Sequence, residues 1–266
     1  MPPTGEPGRT VSSRLLDILF AFRPDRPDLS LADLVRATGM PHPTARRLAL
    51  ELVEAGALER REDGRFTIGL RLWELGTLAP RTESLRARAQ PFMEDLHSAL
   101  HQHVQLAVLE GHEAVIIERL SAPHALGLVS QVGGRLPLHC SGVGKVLLAH
   151  GGPELIDKVL SGGLRRYTPQ TVVDPAELRA QLAACRRTGT AVVRGELTEG
   201  ADSVATRIVN GQGHVVAAMS VVLRAGSVTH QAALPSLVAA AWASHGCSAG
   251  GPAPGSARAD RSSDVR

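Results

Sequence analysis

Lysine is almost absent from this chain. It occurs twice, at Lys145 and Lys158, so nearly all of the positive charge is carried by arginine. Together with abundant Ala, Gly and Pro, that composition points to codon bias in a GC-rich bacterial genome. Cysteine is also sparse. Cys140, Cys185 and Cys247 are odd in number and far apart, which fits free thiols in a reducing compartment better than a disulfide framework. No run approaches the roughly 18 apolar residues that a membrane-spanning helix needs, and the opening MPPTGEPGRT has neither the basic nor the apolar region of a signal peptide. A cytoplasmic location with no membrane partner is therefore expected.

The chain has 266 residues, of which 43% are hydrophobic and 21% charged, enough for two ordinary domains with substantial cores. Its net charge of +3 permits an acidic partner such as DNA without demanding one.

The most informative stretch runs from Leu29 to Phe66. With Gly39 as the turn glycine, Leu34, Val35, Met40, Ala45, Leu48, Ala49 and Leu52 fall where two crossing helices bury them, and the spacing 45, 48, 49, 52 marks one helical face. Gly39 supplies the positive φ that ends the first helix, and Pro41 and Pro43 suit the start of the second. That second helix turns Thr44, Arg46, Arg47 and Glu51 outward, in a form that fits a DNA major groove. Leu58–Arg61, the Asp63-Gly64 turn and Arg65–Ile68 then read as a short hairpin, a wing whose Arg60, Arg61 and Arg65 can straddle a phosphate backbone. Charge alone does not decide for DNA: between Pro41 and Phe66 five arginines meet five acids. Placement must separate this reading from one of merely solvated arginines.

A helix carrying Leu15, Leu16, Ile18, Leu19 and Phe22 precedes this unit and ends at Pro24 and Pro27. After it come a connecting helix over Leu70–Leu78 and an amphipathic helix from Arg81, with a kink or restart at Pro91. Val104–Leu109 and Ala114–Leu120 read as a hairpin and Leu126–Val132 as a third strand. A loop enters a helix at Gly142, a second helix covers Glu154–Leu160, and Thr168–Val173 is an extended link. Asp174 caps a helix over Ala176–Arg187 that Gly189 ends. Strands follow at Ala191–Val193, Val204–Val209 and Val215–Leu223, then a helix over Ala232–His245. Strands and helices do not alternate as βα units, so the expected class is α+β with an antiparallel sheet. The expected division is a disordered tail at 1–8, a winged helix-turn-helix domain at 9–70, a linker helix at 71–90, an α/β domain at 91–247 and a disordered tail at 248–266.

Three motifs that invite other chemistry fail on detail. Gly142-Val143-Gly144-Lys145 lacks the earlier glycine and the following Ser or Thr of a phosphate loop, because His139 and Val146 stand there. His139, Cys140 and Ser141 lack the surroundings of a nucleophile elbow. His97, His101, His103 and His112 have no nearby cysteine and no HExxH pattern. No catalytic residue, metal or cofactor is expected.

The segment LADLVRATGMPHPTARRLALELVEAGALERREDGRFTIGLRLWELG, followed by GGRLPLHCSGVGKVLLA and later YTPQTV, ELRAQLAACRRTGTAVVRGELTEG and VVAAMSV, resembles the IclR family of bacterial transcriptional regulators from about Arg9 to His245. The resemblance implies a homodimer or tetramer that binds double-stranded operator DNA through its winged helices. It also implies a GAF-like or profilin-like C-terminal domain that binds a small-molecule effector. Members that bind small oxo-acids are similar to this chain at Gly142, Val143 and Ser220. They carry a carboxylate at the position of Val193, a cysteine at Ser203 and a serine at Val222. Here Val193 and Val222 remove hydrogen-bonding partners, so a more apolar effector, such as an aromatic acid, is expected. A serine usual in the family is replaced by Pro43, which keeps the helix start and loses one phosphate donor. The alternative is an α/β enzyme acting on a small metabolite, with the helical unit as a regulatory appendage; a third reading is an oligomerising scaffold.

Overall fold

The computed structural model describes residues 10–121, 130–226 and 230–244. Both expected tails fall outside the described residues, as does Cys247.

The N-terminal unit consists of α1 (Val11–Phe20), β1 (Asp28–Leu29), α2 (Leu31–Thr38), α3 (His42–Glu54), β2 (Leu58–Arg60) and β3 (Phe66–Ile68). Ser30 starts α2 with a capping box: its hydroxyl accepts from the Asp33 amide, and the Asp33 carboxylate accepts from the Ser30 amide at 3.0 Å. Gly39 ends α2 at φ 66°, and α3 begins with Pro43 in its first turn. Ile18, Leu34, Ala45, Leu48, Ala49, Leu52, Leu58 and Phe66 close one core. The sheet has the order β1-β3-β2, so Asp28-Leu29 adds a strand that the expected two-stranded wing lacked. Two residues are too short for alternation to reveal a strand; their pairing with Phe66 and Thr67 makes it one.

Two helices follow, α4 (Leu70–Thr77) and α5 (Pro80–Leu100). A helix spans Pro91, where a kink or restart was expected. Proline forfeits one backbone hydrogen bond there, while Leu85, Ala89, Met93 and Leu96, buried on both sides of it, hold the helix to the sheet.

The C-terminal unit contains β4 (His103–Glu110), β5 (Glu113–Leu120), β6 (Arg135–Pro137), α6 (Gly142–His150), α7 (Pro153–Ser161), α8 (Pro175–Thr188), β7 (Thr190–Arg194), β8 (Ala201–Val209), β9 (Val215–Arg224) and α9 (His230–Ala243). Its six strands run in the order β6-β5-β4-β9-β8-β7 with every pair antiparallel, as the α+β reading required. The third strand expected at Leu126–Val132 is corrected. Residues 122–129 lie outside the described residues, Ser130–Val132 are not strand, and Arg135–Pro137 pairs with β5 instead. The link expected at Thr168–Val173 begins with a turn at residues 168–170, where the Thr171 hydroxyl accepts from the amides of Tyr167 and Thr168.

Alternation along the strands divides the sheet between two cores. On β9, Ala217, Met219, Val221 and Leu223 face α5 and α9. Ala218 faces the layer of α6, α7 and α8. Ser220 and Val222, in phase with Ala218, therefore look toward the α6 side.

Candidate functional site

On the reading head, Arg46 and Arg47 are exposed along α3 and Thr44 is half-buried at its start. Arg47 forms an ion pair with Glu51 one turn on, at 2.5 Å. In the wing, Gly64 takes φ 80° and Arg60 and Arg61 are exposed. Arg65 is differently placed. Its Nε donates to Asp28 Oδ2 at 2.9 Å and its Nη2 to the Asp28 carbonyl at 3.1 Å, so it clamps β1 to the wing. Arg61 lies 3.8 Å from the same carboxylate. The sequence reading missed Asp28, since nothing in local spacing brings it beside a residue 37 positions away.

The second site is a cavity of about 740 Å³ between the sheet and the start of α6. Gly142, Val143, Val193, Ser203, Ser220 and Val222 all line it. Strand register explains how residues so far apart in sequence meet: Val222 pairs with Ser203, and Ser203 with Val193, in one cross-strand row. Gln105 and Ser220 form the adjacent row. Above them α6 begins at the Ser141 cap, whose hydroxyl accepts from the Gly144 amide at 3.2 Å and donates to the Pro137 carbonyl at 2.7 Å. A Cβ at Gly144 would stand 2.7 Å from Leu138 Cα and from the Pro137 carbonyl, so this helix start admits only glycine there without backbone movement.

The cavity is mixed in character. Val193, Val222, Leu136, Pro137 and Leu197 supply apolar wall, whereas Ser203, Ser220, Gln105 and Ser130 supply polar groups. Gln105 Nε2 donates to Ser130 Oγ at 2.7 Å. Ser220 is 1% exposed, and its Oγ is buried without a hydrogen-bond partner among the described residues. A buried hydroxyl left in that state is costly unless something supplies a partner. Arg165 and Tyr167 stand at the rim, the guanidinium carbon 5.0 Å from the ring centre, alongside the Arg135–Glu113 ion pair at 3.2 Å. Leu19, Phe20, Phe22, Arg23, Pro24 and Asp25, from the end of α1 and the loop after it, line the same cavity. Sequence reasoning missed this contribution of the reading head, and it missed Gln105, whose cross-strand position opposite Ser220 requires knowledge of the β4–β9 pairing.

The residues that suggested other chemistry are engaged in structure. Ser141 is a helix cap. Burial, with smaller help from the Glu196 charge, pushes the Cys140 thiol up to about 12, so it is protonated at neutral pH. His139 Nε2 lies 2.9 Å from the Arg165 carbonyl. Among the described residues no group of three or more His, Cys, Asp or Glu is placed to hold a metal. No described helix is long and apolar enough to cross a membrane.

A winged helix-turn-helix joined by a helix to an α/β domain with a ligand-sized cavity defines a ligand-responsive transcriptional regulator. The comparisons with known proteins give the particular family. Residues 12–62 match the IclR helix-turn-helix domain, and residues 79–245 match the bacterial transcriptional regulator IclR C-terminal domain. The chain is 32% identical over 245 residues to the Pca regulon regulatory protein of Pseudomonas putida, covering 89% of this chain and 84% of that one. The crystal structure of an IclR homolog from Microbacterium hydrocarbonoxydans in complex with 4-hydroxybenzoate superposes with a TM-score of 0.83 at 37% identity, covering 89% of this chain and 98% of that chain. A second IclR homolog, from Microbacterium sp. strain HM58-2, gives a TM-score of 0.58 at 36% identity, covering 89% and 97%. The chain belongs to the IclR family, as its motifs implied, and is a transcriptional regulator with a DNA-binding head and an effector domain.

Proposed function

We propose that this regulator senses a small aromatic or otherwise apolar acid in the cavity beneath α6. The observation that carries the reading is the unpartnered Ser220 hydroxyl in a cavity flanked by Val193 and Val222. A ligand with one polar end and an apolar body satisfies the hydroxyl and covers the valines; a compact oxo-acid leaves the valines unfilled. The amides of Gly142 and Val143, at the start of α6, offer a carboxylate two donors in a favourable dipole field. Ser203 adds a further hydroxyl. The 4-hydroxybenzoate held by the Microbacterium hydrocarbonoxydans relative has this chemistry.

On DNA, Thr44, Arg46 and Arg47 enter the major groove while Arg60, Arg61 and Arg65 hold the wing near phosphates. The functional unit is a homodimer or a tetramer built from it. Exposed Leu16 and Phe20 on α1, and Leu70, Trp73, Leu75 and Leu78 on or beside α4, form apolar surface that a second copy would cover. The protein works in the cytoplasm and turns over neither ligand nor DNA. The division into a reading head at 9–70, a linker at 71–90 and an effector domain at 91–247 follows from the same reading. The segment from Leu19 to Asp25 lines the same cavity, so reading head and sensor share the space in which the acid binds. Regulation then requires that the acid bind the two head placements with different affinity.

Calorimetric titration of 4-hydroxybenzoate and benzoate against glyoxylate and pyruvate tests the effector class. Binding of the oxo-acids alone would sink it. Footprinting on DNA upstream of the protein's own gene, with and without the bound acid, tests the regulatory link.

A further inference from the structure

The least expected feature of the effector domain is a buried ion pair that does not line the cavity. Lys145, on the first turn of α6, is 3% exposed and Glu196, in the turn between β7 and β8, is 7% exposed. Lys145 Nζ donates to Glu196 Oε1 at 2.5 Å and to Gln181 Oε1 of α8 at 2.6 Å. The other Glu196 oxygen accepts from the Val172 amide at 3.4 Å. The Glu196 carbonyl takes the Thr171 hydroxyl at 2.6 Å, and the neighbouring Gly195 carbonyl takes the Thr168 hydroxyl at 2.7 Å.

Apart from α8, each segment tied into this knot carries residues that line the cavity. Helix α6 brings Gly142 and Val143, the segment before α8 brings Arg165 and Tyr167, and the β7–β8 turn brings Leu197 and Thr198. A buried ion pair is a poor device for stability alone, because desolvation of two charges offsets their attraction and an apolar pair of the same shape does as well. Its distinguishing property is direction: each donor and acceptor admits few arrangements of its partner.

We propose that Lys145 and Glu196 are positioning residues of the effector site, fixing the β7–β8 turn and the 165–172 segment against the start of α6. The pair touches no ligand and acts through the cavity walls that it holds. The proposal deepens the effector-binding reading, and its structural part can be judged without a ligand.

The test uses the full chain in which both charges are replaced, K145M/E196M, with E196Q as a second variant that keeps the shape of the site. Amide hydrogen exchange is followed in the ligand-free proteins, together with the melting temperature and affinity for operator DNA. In both variants the amides of Thr168, Val172 and Gly195 are expected to exchange faster, by about tenfold in the double variant. Strand amides of β8 and β9, the melting temperature of the double variant and operator affinity should stay near the parent's values. Unchanged exchange at those three amides would overturn the proposal. So would acceleration throughout the domain with a fall in melting temperature in the double variant, which marks a merely structural pair; E196Q is expected to melt lower in any case, because it leaves the Lys145 charge buried without its counter-charge. In a second arm, calorimetry with 4-hydroxybenzoate should show weaker binding to the double variant than to the parent, and equal binding would also overturn the positioning role. If the parent itself does not bind the acid, the aromatic-effector reading fails while the exchange result still decides the role of the pair.

Discussion

Gly142, the first residue of α6, lies directly on Ser203 of β8: a Cβ added at Gly142 would come within 2.4 Å of the Ser203 Oγ and 3.2 Å of the Ala205 Cβ. The helix start and the sheet are thus in backbone-to-side-chain contact at the cavity, and the absence of a side chain permits it. Gly142→Ala is expected to destabilise the domain by about 1–3 kcal/mol, the usual cost of overpacking. Adding Ser203→Ala removes the nearest atom and should recover much of the loss. Thermal melts of the single and double variants check this; no recovery would mean that the clash is relieved elsewhere.

Arg47 and Arg60 have little structural work to do. The Arg47–Glu51 pair is exposed, with side chains 58% and 45% accessible, and such pairs contribute roughly 0–1 kcal/mol. Arg47→Ala should therefore leave the melting temperature nearly unchanged while weakening operator binding in gel shifts. If Arg60 contacts phosphate, Arg60→Ala should weaken binding and reduce the slope of log K against log salt by about 1. Unaltered affinity in either variant contradicts its place at the interface.

Arg65 should behave otherwise. Because it clamps Asp28, Arg65→Ala is expected to lower the stability of the reading head as well as its DNA affinity, and Asp28→Asn should share the stability loss. A melting temperature equal to that of Arg60→Ala would show that the clamp contributes nothing.

Asp33 supplies an acid-sensitive element. The Ser30 hydroxyl, then the Ser30 amide, with weaker help from Arg36 and Arg26, hold its carboxyl below its ordinary value of 3.8. A depressed folded value means that the stabilisation is present above pH 3.8 and is lost as pH falls through the lower, folded-state value. Asp33→Asn removes that contribution, so its melting temperature should depend less on pH than the parent's at and below this range. Parallel curves for the two proteins would count against the capping box as a source of acid sensitivity.

Cys140 and Cys185 should resist alkylation. Burial raises the thiols to about 12 and about 11 respectively, far above neutral pH. Iodoacetamide labelling followed by mass spectrometry should find both slow in the native chain and fast in denaturant. Rapid native labelling of Cys140 would reveal an open cavity with a stabilised thiolate.

The amino-acid sequence by itself determined the reading head, because its signals are local. Gly39 must end α2, the 45, 48, 49, 52 stripe must face inward, and Asp63-Gly64 must turn the wing. It also determined that the C-terminal sheet is antiparallel, and its motifs named the family. Tertiary structure decided what depends on pairing across long separations. The row Val222–Ser203–Val193 exists through strand register, as does the position of Gln105 opposite Ser220. Arg65 reads in the sequence only as a wing arginine, and the fold adds its clamp on Asp28. Lys145 looked like part of a failed phosphate loop until the fold brought Glu196, 51 residues away, into contact with it. Residues adjacent in sequence share a local periodicity that can be read along the chain. Partners separated by tens of residues meet through the packing of α6 and its neighbouring loops against the sheet, and no one-dimensional spacing encodes that contact.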